Sequence, residues 1–120
     1  AQVLARYSGG VFGGQPAVTR HTYGDGRAWY LSTLPDPAAL RTLLTRAADE
    51  AGVRPPLNPL PAGVEAVHRG DLLFLLNHGT EPVTVRLPGG RCEDLLTDHS
   101  FEGMITLGRF GVAVLRQTPG

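Results

Sequence analysis

The sequence predicts a mainly β fold, α+β overall, in which a β-hairpin and one helix precede a small antiparallel β-sandwich of about six strands. Three observations support this class. Short apolar or alternating segments of strand length recur along most of the chain. An apolar stripe with helical spacing occurs within residues 36–52. Four prolines in residues 53–63 disfavour both helix and sheet pairing, so they mark a boundary between two parts.

The first part begins with strand-forming segments. Residues 2–7 are mostly apolar and residues 8–15 carry four glycines, which predicts a strand followed by a loop. Residues 16–23 are rich in β-branched and aromatic side chains, and residues 27–33 return as a second segment of strand length. The intervening Gly-Asp-Gly sequence is a strong turn signal, so we expect these two segments to form a β-hairpin.

One helix is expected after this hairpin. Asp36 can cap its N-terminus, Pro37 suits the first helical position, and Gly52 suits the position just beyond its end. We expect its apolar stripe to be buried against the preceding strands. The stripe consists of Leu40, Leu43, Leu44, Ala47, Ala48 and Ala51.

The second part is predicted to be organised around residues 71–87. Its first five apolar residues, 72–76, have the length of a strand, and a strand that is apolar on both faces is usually central in a sheet. Residues 77–82 contain the Asn, Gly and Pro typical of a turn, and residues 83–87 alternate between apolar and polar. The segment therefore predicts a second β-hairpin, which residues 88–90 should end.

Further strands are predicted at residues 64–68, 92–96, 104–107 and 112–116, with a polar loop at residues 97–103. Short strands at such close spacing favour a small antiparallel sandwich or a partly closed barrel.

Composition argues against several classes of function. Eleven Arg and no Lys balance 11 acidic residues, so the formal charge is zero and no basic surface for nucleic acid is indicated. No apolar segment approaches membrane-spanning length, and no signal peptide opens the chain. The single Cys92 and the four histidines show no metal-ligand spacing. We therefore expect no metal, no cofactor, and no nucleic-acid or membrane partner.

Three motifs that suggest chemistry have a better structural interpretation. The consecutive Asp, His and Ser at 98–100 cannot face one another as a catalytic triad, so a polar turn is favoured. The glycines within 8–15 lack the Lys and the following helix that a phosphate loop needs. The acidic pair at 93–94 lies along a predicted strand, where neighbours point to opposite faces. We assign no catalytic residue.

Three aromatic residues are candidates for sugar or interface contacts: Trp29, Tyr30 and Phe101. Aromatic rings stack on sugars, but in a chain with few of them they more often anchor a core or an interface. Both interpretations stay open at this point.

Five segments, in order along the chain, resemble the C-terminal end of bacterial β-galactosidases of glycoside hydrolase family 42. They are PAVTRHTYGDGRAWYLST at 16–33, DPAALRTLLTRAADEAGV at 36–53, GVEAVHRGDLLFLLNHG at 63–79, DLLT at 94–97 and GVAVL at 111–115. The ordered set carries the resemblance, because no single segment is specific.

This resemblance implies a domain organisation. Residues 1–53 would be the C-terminal end of an α/β middle domain that helps to form a homotrimer, residues 54–62 a proline-rich linker, and residues 63–120 an antiparallel β-sandwich. The catalytic (β/α)8 barrel of the family, with both its catalytic glutamates, has no counterpart in this sequence.

The resemblance also implies a function. The expected role is structural or assembly-related and non-catalytic, within an enzyme that hydrolyses terminal non-reducing β-D-galactosides with retention and without a cofactor. The expected partners are the rest of the parent β-galactosidase chain and, through the middle domain, further copies in a homotrimer. The expected location is the bacterial cytoplasm.

The only methionine is Met104, which suggests that this sequence is part of a longer protein. The missing portion should leave apolar surface near Val3, Leu4 and Val18 uncovered. Two alternatives to a β-galactosidase part stay open. They are a free-standing carbohydrate-binding β-sandwich module and a protein-interaction domain.

Overall fold

The structure, a computed structural model, describes residues 1–118. These residues form two antiparallel sheets, of three and five strands, and one helix. The mainly β class predicted from the sequence is therefore confirmed. Contacts between Cα atoms divide the chain into two compact units, Ala1–Arg54 and Pro55–Gly120, and each unit has its own sheet.

The sheet of the first unit has the spatial order β1-β2-β3. Its strands are β1 (Gln2–Arg6), β2 (Pro16–Tyr23) and β3 (Gly26–Leu31). The predicted hairpin of β2 and β3 is confirmed, with Tyr23 opposite Gly26 at its tip. Gly24 has a φ of +56°, a conformation that glycine adopts without the steric cost of a side chain.

The helix α1 (Pro37–Glu50) begins and ends where the sequence predicts. The Asp36 carboxylate accepts hydrogen bonds from the backbone N–H groups of Ala38 and Ala39, at 2.9 and 3.0 Å. Gly52, with a φ of +72°, lets the chain leave the last turn.

The predicted burial of the whole helical stripe is wrong. No residue of α1 is fully buried, and Leu44 is 59% exposed. The three-stranded sheet covers only part of the stripe, so four of its members are half-buried: Leu40, Leu43, Ala47 and Ala48. Within residues 1–54, Ala17 and Val18 are the only buried hydrophobic side chains.

The sheet of the second unit has the order β4-β5-β8-β6-β7. Its strands are β4 (Val64–Arg69), β5 (Leu72–Asn77), β6 (Val83–Asp94), β7 (Ser100–Leu107) and β8 (Val112–Gln117). The hairpin predicted over residues 71–87 is wrong, because β8 lies between β5 and β6. Strand β5 is apolar along its length and pairs on both edges, with β4 and with β8.

The strands predicted on either side of Pro88 form the single strand β6, which reduces the six expected strands to five. Residues 88–90, which were predicted to end a strand, instead lie at a shift in the pairing register between β6 and β7. Arg86 lies opposite Met104, whereas Arg91 lies opposite Glu102, so five steps along β6 correspond to two along β7. The extra residues bend the strand without ending it.

This bend closes the core of the second unit. Eleven buried side chains form one cluster: Leu57, Val64, Leu73, Leu75, Val85, Leu87, Cys92, Ile105, Leu107, Ala113 and Leu115. Only the last residues of β6, Cys92 to Asp94, pair with β8, so the first half of β6 can pack its side chains onto β5 in a sandwich-like manner. Leu57, from the proline-rich segment, is part of this core.

Asn77 at the end of β5 connects two loops of the second unit. Its side chain is buried, with the residue 4% exposed. The amide nitrogen donates to the backbone oxygens of Glu81 (2.8 Å) and Gly108 (2.9 Å), and the amide oxygen accepts from the N–H of Gly79 at 2.9 Å. The turn predicted at residues 77–82 is therefore anchored by a buried Asn77, whereas the next residue, His78, is exposed.

We expect the substitution Asn77→Ala to lower the free energy of unfolding of the second unit by about 2–3 kcal/mol, because it leaves buried backbone groups without partners. The single Trp and all three Tyr lie in the first unit, so their fluorescence does not report on the second. The buried thiol of Cys92 does, and its reactivity in a urea titration measures this unfolding. The exposed Thr80→Ala is the matched control, and equal losses in the two variants would contradict the prediction.

Candidate functional site

Trp29 lies at the centre of a charged cluster in the first unit. Its indole is on β3, directly across the sheet from Arg20 on β2. The guanidinium groups of Arg20 and of Arg46, on α1, lie over the ring at 5.6 and 5.8 Å from its centroid. Both are within the range of cation–π attraction, so the ring links the hairpin to the helix.

Glu50, at the end of α1, is the counter-charge of this cluster. Its carboxylate accepts hydrogen bonds from Arg20 and from Arg46 Nε, the second at 3.3 Å, and Arg27 Nε lies 3.6 Å from its other oxygen. Burial alone would raise the pKa of Glu50, but the hydrogen bonds and charges of these arginines outweigh burial and hold the pKa below its ordinary value of 4.5.

Tyr30 points away from this cluster. Successive side chains on a strand face opposite sides of the sheet, so Trp29 faces α1 and Tyr30 faces the other side, opposite Thr19. Tyr30 is 66% exposed on the side of the sheet that α1 does not cover. The two aromatic candidates therefore do not form a shared stacking platform.

Phe101 belongs to the second unit. It lies on β7 opposite Cys92 and packs, half-buried, against the core cluster. The three aromatic residues singled out from the sequence are thus in three different environments. Trp29 lies in a charged cluster, Tyr30 on an exposed sheet face, and Phe101 at the margin of the core of the second unit.

The glycine-rich loop between β1 and β2 forms an exposed apolar tip, which sequence reasoning missed. Val11 and Phe12 are 96% and 63% exposed, between two pairs of glycines. The signal in the sequence was an apolar pair inside a glycine-rich loop, but exposure cannot be deduced from that pattern alone. We call residues 9–14 the apolar tip.

The first unit also contains an open groove between its sheet and α1, with a volume of about 530 Å³. Most of the lining surface is apolar, and the apolar lining residues include Leu4, Ala17, Val18, Leu31, Ala39 and Leu43. We call this the apolar groove. The expected uncovered surface thus includes Leu4, but Val18 is itself almost covered, with 9% of its surface exposed.

In the polar segment at 98–100, the first two residues belong to the turn between β6 and β7, and Ser100 begins β7. The buried carboxylate of Asp94 organises this turn, accepting from Thr97 Oγ1 at 2.8 Å and from the N–H of Val114 at 3.0 Å. Ser100 Oγ accepts a hydrogen bond from the guanidinium of Arg91, so its partner is not a histidine. Residues 1–118 contain no group of three His, Cys, Asp or Glu side chains placed to hold a metal ion.

In the same described residues, no helix is long and apolar enough to cross a membrane.

Two family models match this chain. The model described as the β-galactosidase trimerisation domain matches residues 1–54, and the model described as the β-galactosidase C-terminal domain matches residues 63–117.

Similar proteins cover almost all of this chain. β-Galactosidase BgaA of Planococcus sp. (strain 'SOS Orange') is 37% identical over 119 residues, which are 96% of this chain and 17% of that protein. β-Galactosidase LacZ of Heyndrickxia coagulans is 38% identical over 97% of this chain and 18% of its own length. The crystal structure of the β-galactosidase from Bacillus circulans sp. alkalophilus matches with a TM-score of 0.85 and 36% identity, over 98% and 18% of the two chains. The chain thus spans less than a fifth of the length of these relatives.

We expect acid to loosen the Trp29 cluster. Because the pKa of Glu50 is lower in the folded state than in the unfolded chain, its stabilising effect is complete above pH 4.5 and is lost as the pH falls through the lowered value. Trp29 emission measured from about pH 6 down to about pH 3 should report this change.

The variant Glu50→Gln should show the altered emission already at neutral pH, because three arginines then lack their counter-charge. Asp49→Asn is the control, since Asp49 pairs with Arg54 at an exposed position. Identical acid titrations of the wild-type protein and Glu50→Gln would contradict this assignment.

Proposed function

This chain belongs to the β-galactosidases of glycoside hydrolase family 42, and we propose that it is a non-catalytic region that serves the assembly of such an enzyme. We propose the division into an assembly unit at 1–53, a linker at 54–62 and an accessory β-sandwich at 63–120. The limits of the two family matches and of the two compact units support this division.

One observation carries the assembly role, namely that the first unit has almost no core of its own. Among its 54 residues only Ala17 and Val18 are buried hydrophobics. Seven large hydrophobic side chains in it are instead more than half exposed: Val11, Phe12, Tyr23, Tyr30, Leu34, Leu44 and Val53. A unit of this size is marginal even with a good core, and exposed apolar surface of this extent marks a contact surface.

The second unit differs in this respect. In its described part, 11 buried hydrophobic side chains form one contiguous core, although Leu96, Met104 and Phe110 are more than half exposed. This supports an accessory domain that folds on its own core, while most of the exposed large hydrophobic side chains lie in the first unit.

We propose that the whole protein is a homotrimeric β-galactosidase of the bacterial cytoplasm that hydrolyses terminal non-reducing β-D-galactosides. The relatives' names support the galactosidase activity, and the match of residues 1–54 to a trimerisation domain supports the assembly. Its partners would be other segments of the same chain and further copies of it. The exposed Tyr30 is our candidate for an interface contact in this assembly.

We expect the 120-residue chain to associate into trimers in a concentration-dependent manner, because burial of the first unit's exposed side chains stabilises the associated state. Sedimentation equilibrium over about 1 to 300 µM measures this. A monodisperse monomer throughout would contradict the assembly role, and hydrolysis of a chromogenic galactoside by the purified chain would contradict the non-catalytic one.

We also expect no binding of galactosides near Trp29, because two guanidinium groups already lie over its ring. Titration with galactose to about 10 mM should leave the emission of Trp29, the only tryptophan, unchanged. Sucrose at equal concentration controls for viscosity. A saturable change with galactose alone would favour the carbohydrate-binding alternative.

A further inference from the structure

The proline-rich segment that connects the two units carries two leucines that are removed from water. Leu57 is 5% exposed and Leu60 is half-buried, whereas Asn58 and Pro59 between them are exposed. A flexible connector stays solvated along its length, so a buried leucine within one indicates a packing contact. The segment therefore packs against part of the protein as well as linking its units.

Both leucines belong to the core of the second unit. Leu57 is a member of the cluster of buried side chains, and Leu60 packs against that cluster. The remaining members of the cluster lie between Val64 and Leu115, within the residues that match the C-terminal domain model. Leu57 and Leu60 instead lie between the two family matches, which end at residue 54 and begin again at residue 63. The core thus extends beyond the matched domain.

The limits of this segment are set by hydrogen bonds at its two ends. Arg54 Nη1 donates to Asp49 Oδ1 at 3.0 Å, so Arg54 is held by the first unit. The N–H of Val64 donates to the carbonyl of Pro61 at 3.2 Å, which ties the other end to the first residue of β4. The compact units divide directly after Arg54. We call residues 55–61 the strap.

The prolines of the strap make its packing favourable. Each of the four fixes its own φ, so the unfolded segment has fewer conformations to lose when the leucines are buried. Proline also lacks an N–H donor, which keeps the strap from pairing as a further strand. Leu57 and Leu60 thus add apolar surface to the core from a chain that is not part of the sheet.

We infer that the strap closes the core of the second unit, so that the accessory domain begins at Pro55 and not at the start of β4. This inference goes beyond the linker role proposed above, and it rests on the proposed division into two units. Continuity of the chain through residues 55–61 is then a condition for the stability of the accessory domain. A cut behind the strap detaches Leu57 from the domain, whereas a cut in front of it does not.

Substitutions in the 120-residue chain test the contribution of the strap. Leu57→Ala should raise the equilibrium constant for unfolding of the second unit about 100-fold, and the half-buried Leu60→Ala should raise it less. Val53→Ala, at a 60% exposed position that ends the first unit, is the matched control and should leave it unchanged. The labelling rate of the Cys92 thiol, the only cysteine and a member of the same core, measures this unfolding. Equal rates in all three variants would reject the inference.

Cleavage of the full chain tests where the accessory domain begins. The recognition sequence of a specific protease is inserted after Arg54 in one version and after Ala62 in another, both at exposed positions. Cys92 labelling is measured before and after each cut. Cleavage after Arg54 should change the labelling rate less than about twofold, whereas cleavage after Ala62 should raise it at least about tenfold, because Leu57 and Leu60 are then detached.

The contrary outcomes of this cleavage experiment differ in what they reject. If Cys92 stays protected after both cuts, the strap does not close the core, and the division into two units stands. If Cys92 becomes equally reactive after both cuts, the second unit does not hold its fold alone, which rejects the division together with the strap. Neither outcome depends on association of the first unit, so sedimentation tests the assembly role separately.

Discussion

The second unit depends on its last strand. Strand β8 enters between β5 and β6 and pairs with both, so it joins two pairs of strands that otherwise share no ladder. Its side chains Ala113 and Leu115 are each only 1% exposed and lie in the centre of the core. The sheet is therefore incomplete until the end of the chain is in place. The pairing of Leu72 with Arg116 spans most of the unit, so its parts form cooperatively.

The first unit is held together differently. Where the second unit has a contiguous core, the first has a charged cluster in which Glu50 and three arginines surround Trp29. Exposed ion pairs contribute little to stability, and the side chains of Arg27 and Arg46 in this cluster are 45% and 53% exposed. The cluster therefore orients α1 on the hairpin without replacing a core. Further stabilisation of the first unit has to come from a contact that covers its exposed apolar side chains.

Local signals in the sequence predicted local structure well. The cap at Asp36, the end at Gly52 and the turn after Tyr23 each involve a few neighbouring residues, and the structure has all three. The errors concern pairing between distant segments. Consecutive strands usually pair, so residues 71–87 suggested a hairpin, but β8 lies between β5 and β6 and pairs with both. The glycines at 89–90 suggested the end of a strand, because glycine is common both where a strand ends and where a strand bends.

The candidate contacts show the same limit. The two-residue period of a strand already places Trp29 and Tyr30 on opposite faces, so their separation was predictable once β3 was assigned. The exposure of Val11 and Phe12 was not, because it depends on hydrogen bonds that fix the loop away from the sheet. An aromatic side chain held in water by such a loop gains free energy only when a partner covers it.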